Sequence, residues 1–180
     1  MGSPKALLPW GSTTLLCHWL DAFVGAGCTD VSVVVGPPHA ERIVAHLRAA
    51  GRLAATRVVV NPSPERGMHS SLVLGLTAAL AGTAGGVLFS PVDVPVAGPA
   101  TIRAVLEGAP QAAVAVAAWR DRPGHPVRLS LAAAQAVMAA PVGAISRDVL
   151  AAFGPECVAV DDPGVVENWN FASDVSVRGA

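Results

Sequence analysis

An aspartate set between two prolines is the residue best placed to do chemistry in this chain. Ser90-Pro91-Val92-Asp93-Val94-Pro95 follows the apolar run Val87-Leu88-Phe89. Proline fixes φ, so the Asp93 carboxylate is rigidly held. In open α/β sheets ligands collect outside the carboxyl ends of the strands. Such a carboxylate suits Mg2+, which takes oxygen ligands in octahedral geometry and shares them with substrate phosphates. The competing reading is a turn-forming or helix-capping Asp. A second segment, Asn61-Pro62-Ser63-Pro64-Glu65-Arg66-Gly67-Met68-His69-Ser70-Ser71-Leu72, follows Val58-Val59-Val60. Glycine, then hydroxyls, then a helix start offers backbone N–H groups to an anion; an ordinary capped helix after a Pro-rich loop fits equally. Gly124-His125-Pro126 reads as a compact turn with one imidazole, which taken singly is a structural or exposed His.

Other chemistries fail on spacing. His18, His39 and His46 have no metal-ligand pattern, and no Cys/His pair supports a thiol nucleophile. Neither G-x-x-x-x-G-K-[ST] nor G-x-S-x-G occurs. Gly25-Ala26-Gly27 lacks a third glycine and follows a helix rather than a strand, so it reads as a helix stop. Phosphate and Mg2+ chemistry remains.

The elements that must hold these residues alternate. Ser12 or Thr13 can cap a helix carrying Leu15, Leu16, Trp19, Leu20 and Phe23. Val31–Val35 and Arg57–Val60 read as strands on either side of a helix with Ile43, Val44 and Leu47. Ser70 can cap a helix with Leu72, Val73, Leu76 and Leu80. Gly86–Ser90 is a third strand, and Pro99 opens a further helix. Ala112–Ala118 and Cys157–Val160 are later strands. Arg120–Gly124 reads as a polar turn before a short returning strand, Pro126–Leu129. The rhythm predicts a three-layer α/β/α, Rossmann-like fold with a mostly parallel sheet covered on both faces, in a single domain over residues 1–180.

Composition bounds the partners. The chain has 180 residues, 52% apolar and 14% charged, with a formal net charge of −1. That excludes intrinsic disorder and gives no basic face for nucleic acid. No apolar stretch reaches the roughly 18–20 residues that span a bilayer, and Pro9, Gly11 and His18 interrupt any signal-peptide pattern. Cys17, Cys28 and Cys157 read as small core residues in a reducing cytoplasm.

Taken together, the segments resemble the MobA-like NTP transferases, most closely the molybdenum cofactor cytidylyltransferase branch. Met1-Gly2-Ser3-Pro4-Lys5-Ala6-Leu7-Leu8-Pro9-Trp10-Gly11 is similar to the family's R-M-G-x-x-K-x-L-L-x-x-x-G segment. Asn61–Leu72 resembles N-P-x-x-x-x-G-M-x-x-S-L, and Pro91–Pro95 the P-x-D-x-P metal motif. Gly124-His125-Pro126 matches a G-H-P turn. Gly143–Leu150 partly matches G-x-x-x-x-R-D-L-L, and Asn168–Asp174 corresponds to [DN]-x-[DN]-T-P-E-D. Six weak motifs in the family's order make one strong signal.

The resemblance implies nucleotidyl transfer. A phosphate on an acceptor such as molybdopterin attacks the α-phosphate of an NTP, CTP in preference to GTP, and pyrophosphate leaves. It implies that Asp93 holds Mg2+ with Asn170 or Asn168, and that Lys5 offsets charge on the phosphates. Gly2, Gly67, Met68, Ser70, Ser71, Gly124, His125 and Pro126 would line the nucleotide and acceptor sides. Arg147 would pair with an acceptor phosphate, against the plainer reading of a helix-start salt bridge with Asp148. A molybdoenzyme or maturation protein is the implied partner.

Two departures stand out. Phe171-Ala172-Ser173 replaces Thr-Pro-Glu. The family also opens with a buried strand and an L-A-A-G-x-S-x-R loop ahead of the segment that starts here at Met1. Without that strand, two neighbours in the sheet lose a shared partner. Three hypotheses follow: an active enzyme whose true start lies roughly 10–20 residues upstream; a truncated, non-catalytic nucleotide-binding relative or partner domain; or a sugar-phosphate nucleotidyltransferase sharing only the fold.

Overall fold

Lys5–Leu7 makes a single 3-10 turn, and β1 (Pro9–Trp10) folds back on β2 (Thr13–Thr14) as a small antiparallel ribbon. The computed structural model describes residues 4–82, 85–96 and 98–169. The helix α1 (Leu15–Gly25) starts at Thr14, whose hydroxyl accepts from the Cys17 N–H. The cap therefore falls beyond the expected Ser12 or Thr13: Thr13 and Thr14 both pair in the ribbon, so the helix starts only after it, with the last ribbon residue as its cap. In chain order there follow β3 (Ser32–Val35), α2 (Ala40–Ala49), β4 (Arg57–Val60), α3 (Met68–Leu80), β5 (Gly86–Phe89), α4 (Pro99–Glu107), β6 (Val114–Trp119), β7 (Arg122–Ser130), α5 (Leu131–Ala139), α6 (Ser146–Ala151) and β8 (Glu156–Ala159).

The layers follow from the alternation of side chains along a strand. On β6, Ala115 and Ala117 point into one core with Leu15 and Trp19 of α1 and Ile102 and Val105 of α4. Val114 and Val116 point the other way, onto Leu76 of α3, Leu129 of β7 and Ala133, Ala134 and Val137 of α5. A third cluster joins Leu16 and Leu20 of α1 to Val35 of β3 and to Ile43 and Leu47 of α2. The α/β/α layering expected from the sequence is thus present.

The strands form two separate sheets besides the small ribbon. β3 pairs with β4 in parallel, and the larger sheet has the order β5-β7-β6-β8. Within it β6 and β8 are parallel, while β7 runs against both β5 and β6. Among the described residues β3 and β5 have one strand partner each. Burial on both faces does not extend to every strand: β4 exposes Arg57 and Val60, and β8 buries only Val158.

The segment Gly124-His125-Pro126 corrects the sequence reading. It is not a turn. The chain reverses at Arg120 and Asp121, which both have positive φ (48° and 63°), and β7 resumes at Arg122. Ala118 pairs with Pro123 and Val116 with Val127, so Gly124, His125 and Pro126 bulge out opposite the single residue Ala117. A bulge interrupts the ladder as a turn does, and their sequence signals overlap. Gly124 is there for close approach: a Cβ would lie 1.9 Å from the Val165 carbonyl oxygen.

The cysteines also differ from expectation. Cys17 is buried, but Cys28 is only half-buried and Cys157 is exposed on β8. A Cys/His pair does form, with Cys17 Sγ 3.5 Å from His46 Nε2, which also lies 3.0 Å from Thr14 Oγ1. It ties α2 to the start of α1, and burial of Cys17 shields the thiol.

Gly124→Ala is expected to destabilise the fold by about 2–3 kcal/mol, the scale of overpacking against an unyielding neighbour. Thermal melts should show Tm lower by about 5–10 °C, whereas Gly85→Ala, with open space around it and no positive φ, should cost less.

Candidate active site

Asp93 follows β5 in a loop pinned from outside. The Trp169 N–H donates to the Asp93 carbonyl at 2.7 Å. Trp19 Nε1 donates to the Val94 carbonyl at 3.0 Å, and His18 Nε2 to the Val96 carbonyl at 2.8 Å. Trp10 stacks on His18 with centroids 4.3 Å apart and meets Trp169 at 5.1 Å. An aromatic group from β1, α1 and the chain after residue 166 thus fixes the backbone that carries the carboxylate. Individual tryptophans gave no sign of this in the sequence, because their partners are backbone carbonyls some 75 residues away in the case of Trp19.

The two residues expected to meet phosphate and metal meet each other. Lys5 Nζ donates to Asp93 Oδ2 at 2.8 Å, with the side chains 42% and 20% exposed. An ion pair this accessible to water stabilises little, so its partners can be exchanged for a ligand at low cost. Beside it, Pro4, Lys5, Ala6, Val92 and the β3 end Val33–Gly36 line a cleft of about 390 Å3.

His125, lifted out of the ladder by the bulge, stands against Phe89 edge to face at 5.9 Å. Burial holds its pKa down to about 4; the Asp93 carboxylate opposes that shift and the Arg147 guanidinium reinforces it. At neutral pH the ring is uncharged, and its buried Nδ1 has no hydrogen-bond partner among the described residues. Arg147, in the first turn of α6, is exposed. The described ion pairs do not join it to Asp148, so the helix-start salt bridge is not formed among the described residues. The start of α6 is tied to α3 by His69 Nδ1 and Ser146 Oγ, 2.9 Å apart, a link the sequence reading missed.

The Gly67–Ser71 segment is arranged differently from a simple anion loop. α3 begins at Met68, two residues before the expected Ser70 cap, after Gly67 with φ +89°. Its hub is Asn61, buried to 2% exposure. The Asn61 amide donates to Ser70 Oγ at 3.0 Å and to Ser71 Oγ at 2.9 Å, and its Oδ1 accepts from the Ser63 N–H. Ser70 Oγ in turn donates to the Gly67 carbonyl. Both functions of the Ser70 hydroxyl are used inside the loop. Met68 is 67% exposed, and with Ser71 it lines the same trench as Ser90, Pro91 and Val92.

Gly124 and Pro126 lie in the β7 bulge on either side of His125. Asn168 is exposed one residue before Trp169. Gly2 and Asn170 lie outside the described residues. No group of three His, Cys, Asp or Glu side chains that could hold a metal assembles among the described residues. No helix among them is long and apolar enough to cross a membrane.

A carboxylate past the end of β5, met by a lysine from the first turn, lies where ligands collect in α/β proteins. A sequence profile of the MobA-like NTP transferase domain matches residues 1–157, and the chain belongs to that family. No curated protein sequence matches it. Among solved structures, Rv0371c from Mycobacterium tuberculosis H37Rv is 28% identical at a TM-score of 0.72, covering 89% of this chain and 80% of that one. The same protein in complex with manganese is 30% identical at a TM-score of 0.69, covering 88% and 83%. A nucleotidyl transferase from Methanothermobacter shares the fold at 23% identity and a TM-score of 0.75, covering 94% and 81%.

The depressed His125 pKa makes stability depend on acid. The group is depressed when folded, from an ordinary 6.5 to about 4. Its contribution is therefore complete above pH 6.5, falls as the unfolded imidazole takes up a proton, and is gone below about pH 4. At about 1.4 kcal/mol per unit the loss is on the order of 3 kcal/mol. Urea midpoints at pH 7 and pH 4.5 should fall apart in the parent and converge in His125→Gln.

Proposed function

We propose that the protein transfers a nucleoside monophosphate from an NTP to a phosphate-bearing acceptor, releasing pyrophosphate. CTP is preferred to GTP, and the acceptor is of the molybdopterin class. The observation that carries this reading is the Lys5–Asp93 pair beside an uncharged His125 and an exposed Arg147. Family membership supports the reaction type, and the motif resemblance supports the nucleotide and acceptor.

The acceptor phosphate is itself the nucleophile, so the chain's task is positioning and charge neutralisation. Lys5 leaves Asp93 for the triphosphate when nucleotide enters. Arg147 faces the acceptor phosphate as a bidentate donor. Neutral His125 adds no charge to the site, so it neither competes with Lys5 for the phosphates nor with a cation for Asp93.

A carboxylate such as Asp93 fits a hard divalent cation that draws most of its ligands from phosphate and water. It does not fit a closed metal site. Asp93 would hold Mg2+, with the amides of Asn168 and Asn170 completing the set, and the ion would neutralise charge between the phosphates. A relative with manganese bound supports divalent metal use.

Asp93→Ala is expected to lower nucleotidyl transfer by at least about 100-fold, the scale of losing a main electrostatic stabiliser, with near-ultraviolet circular dichroism unchanged. Lys5→Met should reduce kcat more than it raises KM. Release of pyrophosphate from CTP and GTP, with and without molybdopterin, reads both. Full turnover in Asp93→Ala would refute the assignment.

A further inference from the structure

His69, the second residue of α3, has its Nδ1 2.9 Å from Ser146 Oγ, across 77 residues of sequence. Its neighbours fix where it stands. Asn61 follows β4, and its N–H donates to the Val35 carbonyl at 2.7 Å. The Asn61 amide then holds Ser70 and Ser71, the next two residues of α3. α6 has no such frame. It is six residues long, and its N-cap Ile145 makes no side-chain hydrogen bond. The chain leading into it is open to water, with Val142 78% and Ile145 63% exposed. Leu150 and Val149 hold it to the second cluster, but apolar contact is non-directional and does not by itself set the rotation of a helix. Among the described residues, the His69–Ser146 bond is the one side-chain hydrogen bond between α6 and another element. Arg147 is the next residue. The His69 Nε2 is buried without a partner. A buried polar atom left unsatisfied is destabilising, so a residue placed there for packing alone would not be an imidazole.

We propose that His69 is a positioning residue for the acceptor: through Ser146 it fixes the first turn of α6 and so aims the Arg147 guanidinium. This rests on the reading of Arg147 as the group that faces the acceptor phosphate. Arg147 stands close enough to His125 for its charge to be felt there, so α6 reaches the site from the side of the β7 bulge. A guanidinium presents its donors in a rigid fork, and a fork grips a phosphate bidentately only when its direction is set. A displacement of about 1 Å can cost a reaction on the order of 100-fold. The link also gives α3 two tasks. Met68 and Ser71 of its first turn line the trench with Ser90, Pro91 and Val92, while His69, between them, reaches across to α6. The nucleotide side and the acceptor side are then both referenced to one turn, which Asn61 holds still. The bond itself is robust, because a hydroxyl can donate to a bare Nδ1 or accept from a protonated one.

Four variants test this. Ser146→Ala and His69→Gln remove the bond. His69→Asn retains it, because an Asn amide ends where Nδ1 does and a Gln amide where Nε2 does. Arg147→Ala removes the group being aimed. Amide exchange at Asp148 and Val149, whose N–H groups bond the Ile145 carbonyl, reads the first turn of α6. Pyrophosphate release with varied molybdopterin and varied CTP reads the two substrates. His69→Gln and Ser146→Ala should each speed that exchange by at least about 10-fold. Each should raise the KM for molybdopterin by at least about 10-fold and leave the KM for CTP within about twofold. His69→Asn should match the parent on every count. Arg147→Ala should raise the molybdopterin KM alone, and adding His69→Gln to it should raise it no further, since both changes act on one group. Unchanged exchange in His69→Gln and Ser146→Ala overturns the link. Equal rises in both KM values, or an additive double variant, overturn the positioning role. If the parent releases no pyrophosphate from CTP or GTP, the transfer reading falls and the acceptor role with it, while the exchange still decides whether His69 holds α6.

Discussion

The loop from Asp93 to Val96 takes three hydrogen bonds from groups outside it: the Trp169 N–H, the Trp19 indole and the His18 imidazole. A carboxylate two bonds from such a backbone cannot drift, and the remaining site geometry is measured from it. Lys5 reaches it from the first turn, and His125 feels its charge from the bulge in β7. The prolines flanking the loop limit its conformations, but hydrogen bonds from distant elements select one. Trp19 acts through its indole N–H, since a buried indole N–H must find an acceptor, and Trp169 through its backbone N–H.

The β7 bulge is the second constraint. Three residues opposite one turn His125 away from the ladder and bring it beside Phe89. Gly124 lets the strand lie against the Val165 carbonyl, and Gly164 does the same toward the Pro95 carbonyl, where a Cβ would lie 1.9 Å from the oxygen. These two approaches lock the segment after β8 between the bulge and the Asp93 loop. Buried Asp162 anchors it further, accepting from Thr101 Oγ1 and the Gly164 N–H. The site is therefore assembled from chain regions that are far apart in sequence and are joined by both backbone and side-chain contacts.

The division into two sheets concerns stability more than chemistry. The larger sheet is packed on both faces, with Leu129 and Ala115 fully buried. The β3–β4 pair rests on α1 and α2 through the third cluster and on α3, where Gly75 lies against Val34. The cleft beside Lys5 straddles this division, so any nucleotide held there would contact both parts. Binding energy would then be shared between holding ligand and holding the two parts together, since a ligand that binds only the joined state stabilises it.

The sequence by itself determined the elements whose signals are local. The strand Arg57–Val60, the helix opening at Pro99 and the apolar face of α1 were all legible in residue order. So were Asp93 and Lys5 as chemical candidates, through rigid prolines in one case and a motif resemblance in the other. Tertiary structure decided what local signals cannot carry. Gly124-His125-Pro126 reads as a turn, and only pairing with β6 makes it a bulge inside a nine-residue strand. Ser70 reads as a helix cap, and only the buried Asn61 amide shows that its hydroxyl is spent within the loop. Cys157 reads as core until β8 is seen at the edge of its sheet. In each case the missing information was a partner distant in sequence, and hydrogen bonding and burial are properties of pairs, not of single residues.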